Sequence, residues 1–133
     1  MTQSSPSHLA KGKAAESTDL IIARRHRIVN ALAHPRGGVL LDFGCGSGAQ
    51  TVLFAAQFDQ TIAVDVDQAY VAECARRAAA AGLGDRVQCL SYDGTTLPVA
   101  SQSVDFVVSF EVLEHVDDEA RALSEIHRVL KRD

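Results

Sequence analysis

The chain has 133 residues, 47% of them apolar, and a formal net charge of −4, which suits one domain able to bury roughly two thirds of its unfolded surface. The acidic balance, with a pI near 5.7, argues against a broad electrostatic footprint for nucleic acid. The longest apolar run is about five residues, far short of the roughly twenty a membrane-spanning helix needs, and the first fifteen residues lack the apolar stretch of a secretory signal. The three cysteines, Cys45, Cys74 and Cys89, show neither CxxC spacing nor a nearby histidine pair. They therefore read as small buried apolar groups in a reduced, cytoplasmic compartment, neither a zinc site nor a disulfide framework.

Taken in chain order, residues 1–16 show no sustained period and read as a disordered tail. Their Lys11 and Lys13 in an acid-poor setting leave an organelle transit peptide as the alternative. A single domain is expected over residues 17–133. Ser17 or Thr18 can cap a helix to about Ala33, with Asp19 in its first turn. Ile21, Ile28 and Leu32 lie on one side of it, and His34-Pro35-Arg36-Gly37-Gly38 stops it. Val39–Phe43 is an apolar run that reads as a buried strand. A glycine-rich turn follows, then a helix over 49–57. Thr61–Asp65 is a second strand, and Asp67 can cap a helix reaching Ala81, with Gly82 placed to end it. Arg86–Tyr92 is a third strand, Asp93–Gln102 a loop and Ser103–Phe110 a fourth strand. Asp117 or Asp118 opens a last helix that ends near Lys131 and Arg132.

Strands alternating with helices predict right-handed βαβ units and a doubly wound, Rossmann-like α/β fold with a parallel sheet covered on both faces. In such a sheet, ligands bind beyond the carboxyl ends of the strands. Four features fall there. The run Asp42-Phe43-Gly44-Cys45-Gly46-Ser47-Gly48 allows a sharp turn and close backbone approach to a ligand. Alone it also fits a dinucleotide pattern through Ala49. Asp65, at the end of strand two, can accept hydrogen bonds from both hydroxyls of a ribose. Asp93-Gly94 follows strand three, where a carboxylate can accept from an adenine amino group. Phe110-Glu111 follows strand four. Each acid singly is equally well a loop carboxylate, a cap or a turn residue; four such placements together favour a nucleoside-containing ligand.

VLLDFGCGSG, IAVDVD, YDGTTLP, SVDFVVSFEVLEHV and EIHRVLK, in that order over about residues 38–131, resemble the class I S-adenosylmethionine-dependent methyltransferases. The likeness is strongest to the small-molecule type related to ubiquinone-biosynthesis enzymes. It implies that Gly44, Cys45, Gly46 and Gly48 line the methionine part of S-adenosylmethionine, with Asp42 near its amino group. Asp65 would hold the ribose, Val66 would flank adenine, Asp93 and Gly94 would read the adenine edge, and Phe110 would lend backbone near the methionine end. Asp42 favours this family over a nicotinamide-dependent oxidoreductase, because a carboxylate suits a cationic amino group and sulfonium and repels a pyrophosphate.

Glu111-Val112-Leu113-Glu114-His115 resembles the magnesium-ligand set of ubiquinone-pathway methyltransferases and, with a further histidine, that of small-RNA 2′-O-methyltransferases. Glu111, Glu114 and His115 could hold Mg2+ and lower the pKa of an acceptor hydroxyl, or His115 could act as a general base. The same residues are also an ordinary turn before the last helix, and the missing downstream histidine weakens the RNA reading.

The family continues past its LK with a Pro-Gly-Gly turn and about three more strands, whereas this sequence stops at Asp133. The expectation is therefore strands 3-2-1-4 of a seven-stranded sheet, its C-terminal part missing and strand four at an edge with nothing beyond the last helix to pair with it. That edge, residues 104–110, would pair with a missing C-terminal segment or with a second copy. The expected function is methyl transfer to a small-molecule acceptor, with neither membrane nor nucleic acid as partner. A cofactor-binding or accessory module without turnover of its own is the alternative.

Overall fold

The computed structural model describes residues 20–33, 36–110 and 117–132. In chain order they form α1 (Leu20–Ala33), β1 (Val39–Phe43), α2 (Ala49–Ala55), β2 (Gln60–Asp65), α3 (Gln68–Ala80), β3 (Val87–Ser91), β4 (Phe106–Val108) and α4 (Glu119–Val129). The strands make one parallel sheet in the order β3-β2-β1-β4, the predicted doubly wound arrangement. Strand pleating sends alternate residues of β1 to opposite layers. Leu41 and Phe43 join Val64, Leu97, Val104 and Val129 on one face. Leu40 joins Phe54, Phe58 and Val108 on the other. Both layers are closed to solvent, which is why β1 reads as a continuous apolar run broken only by Asp42.

Local chemistry sets the helix ends. Asp67 caps α3 by accepting from the amides of Ala69 and Tyr70, and Asp118 caps α4 by accepting from Arg121. Gly82 lies past the end of α3 with φ at 77°, a left-handed conformation that glycine adopts without strain. The loop after β3 is held by side chains. Glu125, nearly buried on α4, accepts from the Leu97 amide at 2.8 Å and from Arg128 at 2.7 Å. Arg128 in turn donates to the carbonyls of Val99 and Leu97.

Two features depart from the expectation. The fourth strand is regular only over three residues, and its start is not open. Val104 pairs in parallel with Leu130, its amide donates to the Val129 carbonyl, and its carbonyl accepts from the Lys131 amide at 2.9 Å. Residues beyond the last helix thus do pair with the outer side of this segment, because α4 ends where its exit returns to the sheet. Lys131 also meets Asp105 at 3.0 Å, so the charge near the strand's start is neutralised in place. The second departure is α1. Ile21, Ile28 and Leu32 are 65%, 47% and 82% exposed, while the side turned to the body carries Val29, His26 and Asn30. α1 lies on α2, which already covers the sheet, so it meets the polar flank of a helix. Among the described residues no helix is long and apolar enough to cross a membrane. The tail 1–16 lies outside the described residues.

Candidate functional site

The carboxyl ends of β1, β2, β3 and β4 gather most of the predicted residues at one edge of the sheet. β1 delivers the chain into the loop Gly44–Gly48, which is pinned from below: the amides of Gly44 and Cys45 both donate to the Val64 carbonyl, at 2.8 and 2.9 Å. From the side, Asp65 at the end of β2 accepts from the Gly46 amide at 3.0 Å and, through its other oxygen, from the Asp67 amide at 2.9 Å. One carboxylate therefore sets both the glycine loop and the turn into α3. Burial raises its pKa against the pull of these amides.

Two glycines of the loop have distinct physical reasons. A Cβ on Gly48 would sit 2.9 Å from the Cys74 Cα and 3.0 Å from its sulfur, so α3 reaches the loop only because no side chain intervenes. A Cβ on Gly46 would meet nothing within 4 Å. With φ at 56°, Gly46 presents bare backbone to open space on the side a ligand would take.

Asp42 stands at the end of β1 but is 2% exposed. Its Oδ2 accepts the Thr51 hydroxyl at 2.6 Å, and burial pushes its carboxyl up to about 7. It is a buried group behind the loop, not an open carboxylate in the cleft, which softens the charge contrast drawn from it in the sequence. The three cysteines converge although they are far apart in the chain: Cys45 and Cys74 pack together with Cys89 at the margin, all as free thiols. The contacts of Cys74 with Cys45 and then Cys89 hold its thiol below the usual range, and the same contacts push Cys45 and Cys89 up.

On the β2–β3 side, Val66 is 58% exposed, an apolar side chain presented beside the loop. Gly94 lies opposite, where an added Cβ would come 3.8 Å from the Val66 Cγ1. Asp93 is exposed and caps its own turn, accepting from the Thr95 and Thr96 amides at 2.8 and 2.9 Å, and these amides lower its pKa. On the β4 side, Phe110 stacks on Phe54 at 6.1 Å. Glu111, Glu114 and His115 lie outside the described residues. Among the described residues no group of three or more His, Cys, Asp or Glu is placed to hold a metal ion.

Sequence reasoning missed Thr51, Gln50 and Arg25. Gln50 is buried, its Nε2 donates to the Ile22 carbonyl at 3.2 Å, and its Oε1 is buried without a partner. Arg25 lies 5.6 Å above the Phe110 ring. A polar residue one position into a helix that must bury its first turn was the available signal for Gln50; Arg25 had none. The donor set fits an S-adenosyl amino acid: bare backbone at Gly46, a carboxylate at the end of β2, an exposed aliphatic side chain at Val66 and an unsatisfied acceptor at Gln50.

A parallel sheet of this order, with a glycine loop after β1 and an acid after β2, defines a Rossmann-like nucleoside-binding domain. The family profile described as a methyltransferase domain matches residues 41–133. A probable S-adenosylmethionine-dependent methyltransferase of Mycobacterium tuberculosis is 38% identical over 110 residues, which cover 81% of this chain and 38% of that protein. A demethylmenaquinone methyltransferase of Symbiobacterium thermophilum is 34% identical over 80% of this chain and 44% of its own length. The crystal structure of a putative S-adenosylmethionine-dependent methyltransferase of Methanococcus maripaludis superposes with a TM-score of 0.76 at 27% identity, covering 84% of this chain and 51% of that one. The [4+2]-cyclase SpnF superposes with a TM-score of 0.74 at 33% identity, over 81% and 40% of the two chains. The chain belongs to the class I S-adenosylmethionine-dependent methyltransferase family and spans about two fifths of the length of these curated relatives.

Proposed function

We propose that the protein transfers a methyl group from S-adenosylmethionine to a small-molecule acceptor. The observation that carries this is the lock between Asp65 and Gly46, which fixes a carboxylate and an open stretch of backbone side by side at the end of β2. In this reading Asp65 accepts from the ribose hydroxyls, Val66 covers one face of the adenine, and Asp93 with Gly94 borders its edge. The loop Gly44–Gly48, Cys45 included, passes along the methionine part, and Phe110 bounds it on the β4 side. When bound, the cofactor supplies a methyl group on a cationic sulfur. The chain's part is to hold the nucleoside rigidly, with Asp42 enclosed behind the loop and engaged by the Thr51 hydroxyl.

A small-molecule acceptor is supported by the relatives' names, which include a demethylmenaquinone methyltransferase and a 27-O-demethylrifamycin SV methyltransferase. A cytoplasmic setting is part of the proposal and draws on the three free thiols. The second reading, a cofactor-binding domain without methyl transfer, draws on SpnF, a cyclase of the same fold.

Calorimetry with S-adenosylhomocysteine and with NAD tests the cofactor. Only the first is expected to bind, and Asp65→Ala should weaken it by about 1.5–3 kcal/mol through loss of charge-assisted bonds. A change below about threefold, which is under 1 kcal/mol, would remove the ribose assignment. Transfer of label from S-adenosylmethionine to quinone-like and polyketide-like acceptors then separates the two readings.

A further inference from the structure

Three thiols from three separate elements meet on the α3 side of the sheet, and methyl transfer has no chemical use for them. Cys45 comes from the glycine loop, Cys74 from α3 and Cys89 from β3, and they pack together around Ala63 of β2. They differ in access. Cys74 is fully enclosed and Cys45 nearly so, whereas Cys89 is only half-buried, on a strand that ends the sheet among the described residues. Cys74 stands between the other two and contacts both, and these contacts hold its thiol below the usual range. It therefore has the thiolate character that attack on another sulfur requires. Cys74 also backs the cofactor loop. An added Cβ on Gly48 would lie 2.9 Å from its Cα, and its Sγ reaches the Thr51 hydroxyl at 3.6 Å, the same hydroxyl that engages Asp42. The cluster thus runs from the sheet's edge, through a nucleophilic thiol, to the wall behind the glycine loop.

We propose that Cys89 and Cys74 form an oxidation site for small peroxides, and that the disulfide made there draws α3 away from the glycine loop and weakens cofactor binding. The effect on binding rests on the proposed S-adenosylmethionine reading; the bond itself does not. In the first step the Cys89 thiol takes one oxygen of the peroxide, giving a sulfenic acid and one water. The Cys74 thiolate then attacks the Cys89 sulfur. The S–S bond forms as the S–O bond breaks, and the departing hydroxide takes up the proton that Cys74 gave up, making a second water. Two thiols are oxidised to one disulfide and one peroxide is reduced to two waters, with Cys45 left as a free thiol. A disulfide sets its sulfurs about 2 Å apart, well inside the contact distance of two thiols. β3 is hydrogen-bonded to β2 over five residues, whereas α3 rests on the sheet through side chains, so the helix is the element that yields. The Gly48 backbone then loses the surface it leans on.

The test treats the 133-residue chain with hydrogen peroxide, alkylates the remaining thiols and reads the linked pair by peptide mass spectrometry. Calorimetry with S-adenosylhomocysteine follows on reduced, oxidised and re-reduced samples. The expected result is a Cys74–Cys89 link with Cys45 alkylated, and binding about tenfold weaker that dithiothreitol restores. Cys89→Ser should bind S-adenosylhomocysteine as the reduced chain does and lose the response to peroxide. Cys74→Ala should form no link. A link between another pair, no link at all, or a Cys89→Ser chain as sensitive as the unaltered one would each overturn the site. A Cys74–Cys89 link with unchanged affinity would overturn its coupling to the glycine loop. If the reduced chain does not bind S-adenosylhomocysteine, the cofactor reading fails, and the presence or absence of the link still decides the oxidation site.

Discussion

Asp42 shows how much a single residue's surroundings can alter what its letter suggests. In the sequence it is an acid two positions before a glycine loop; in the fold it is enclosed, with the Thr51 hydroxyl at 2.6 Å and its carboxyl raised from 3.8 to about 7 by burial. Below pH 4 the folded and unfolded chains both hold the proton. Between about 4 and 7 the unfolded chain releases it and the folded chain keeps it, so the stability tied to this residue falls as pH rises across that window and is level above it. Asp42→Asn, whose amide oxygen can still accept from Thr51, should therefore melt at a higher temperature than the unaltered chain at pH 8. The gap, on the order of a few kcal/mol, should close as the pH approaches 4. Thermal melts at both pH values check this, and equal gaps would refute it. The position of Asp42 was legible from its place at the end of an apolar run. Its closure was not, because the partner sits on the far side of a turn and only packing brings it over.

Whole elements were read more reliably than the contacts between them. The strands over 39–43 and 60–65 and the helices capped by Asp67 and Asp118 lie where periodicity and capping chemistry put them. Glu125 and Arg128, by contrast, look in the sequence like an ordinary i,i+3 surface pair on α4. In the fold they hold the loop after β3 through Leu97 and Val99, partners no local pattern announces. Arg128→Ala should cost about 2–3 kcal/mol, since it strips donors from two loop carbonyls and leaves the Glu125 carboxylate, 8% exposed, without its cation. Denaturant unfolding measures the loss; a value under about 0.5 kcal/mol, typical of a surface pair, would show that the loop holds without it. The apolar stripe on α1 was also seen in the sequence, but its direction was not, because periodicity locates a stripe without saying which side the neighbours occupy.

At the scale of the molecule, alternation made the parallel sheet legible, and the order β3-β2-β1-β4 is the one that the family resemblance implied. The outer edge is less open than the sequence suggests. Leu130 and Lys131 cover Val104 and Asp105, so the part of the fourth strand lacking an outer partner among the described residues shrinks to Phe106–Val108. Three residues, Phe106 and Val107 half-buried and Val108 buried, still offer amides and carbonyls to another chain. We therefore expect the 133-residue chain to self-associate through this short edge. Light scattering from ten to a hundred micromolar should show mass rising with concentration, and an unchanging monomer would sink the expectation.

Asp105 has a consequence in time as well as in space. Its carboxylate accepts the Val39 amide across 66 positions of chain, at 2.7 Å, and takes Lys131 on its other side. β1 and β2 need only α2 between them, and β3 only α3, so the three strands that carry the glycine loop, Asp65 and Val66 can assemble through short loops. The closure that brings β4 beside β1 spans the whole of that unit, and loop closure is entropically dearer the longer the chain it spans. The side of the cleft formed by β1, β2 and β3 thus depends on local order, and we expect it to take shape first. We expect the side bounded by β4 to close later.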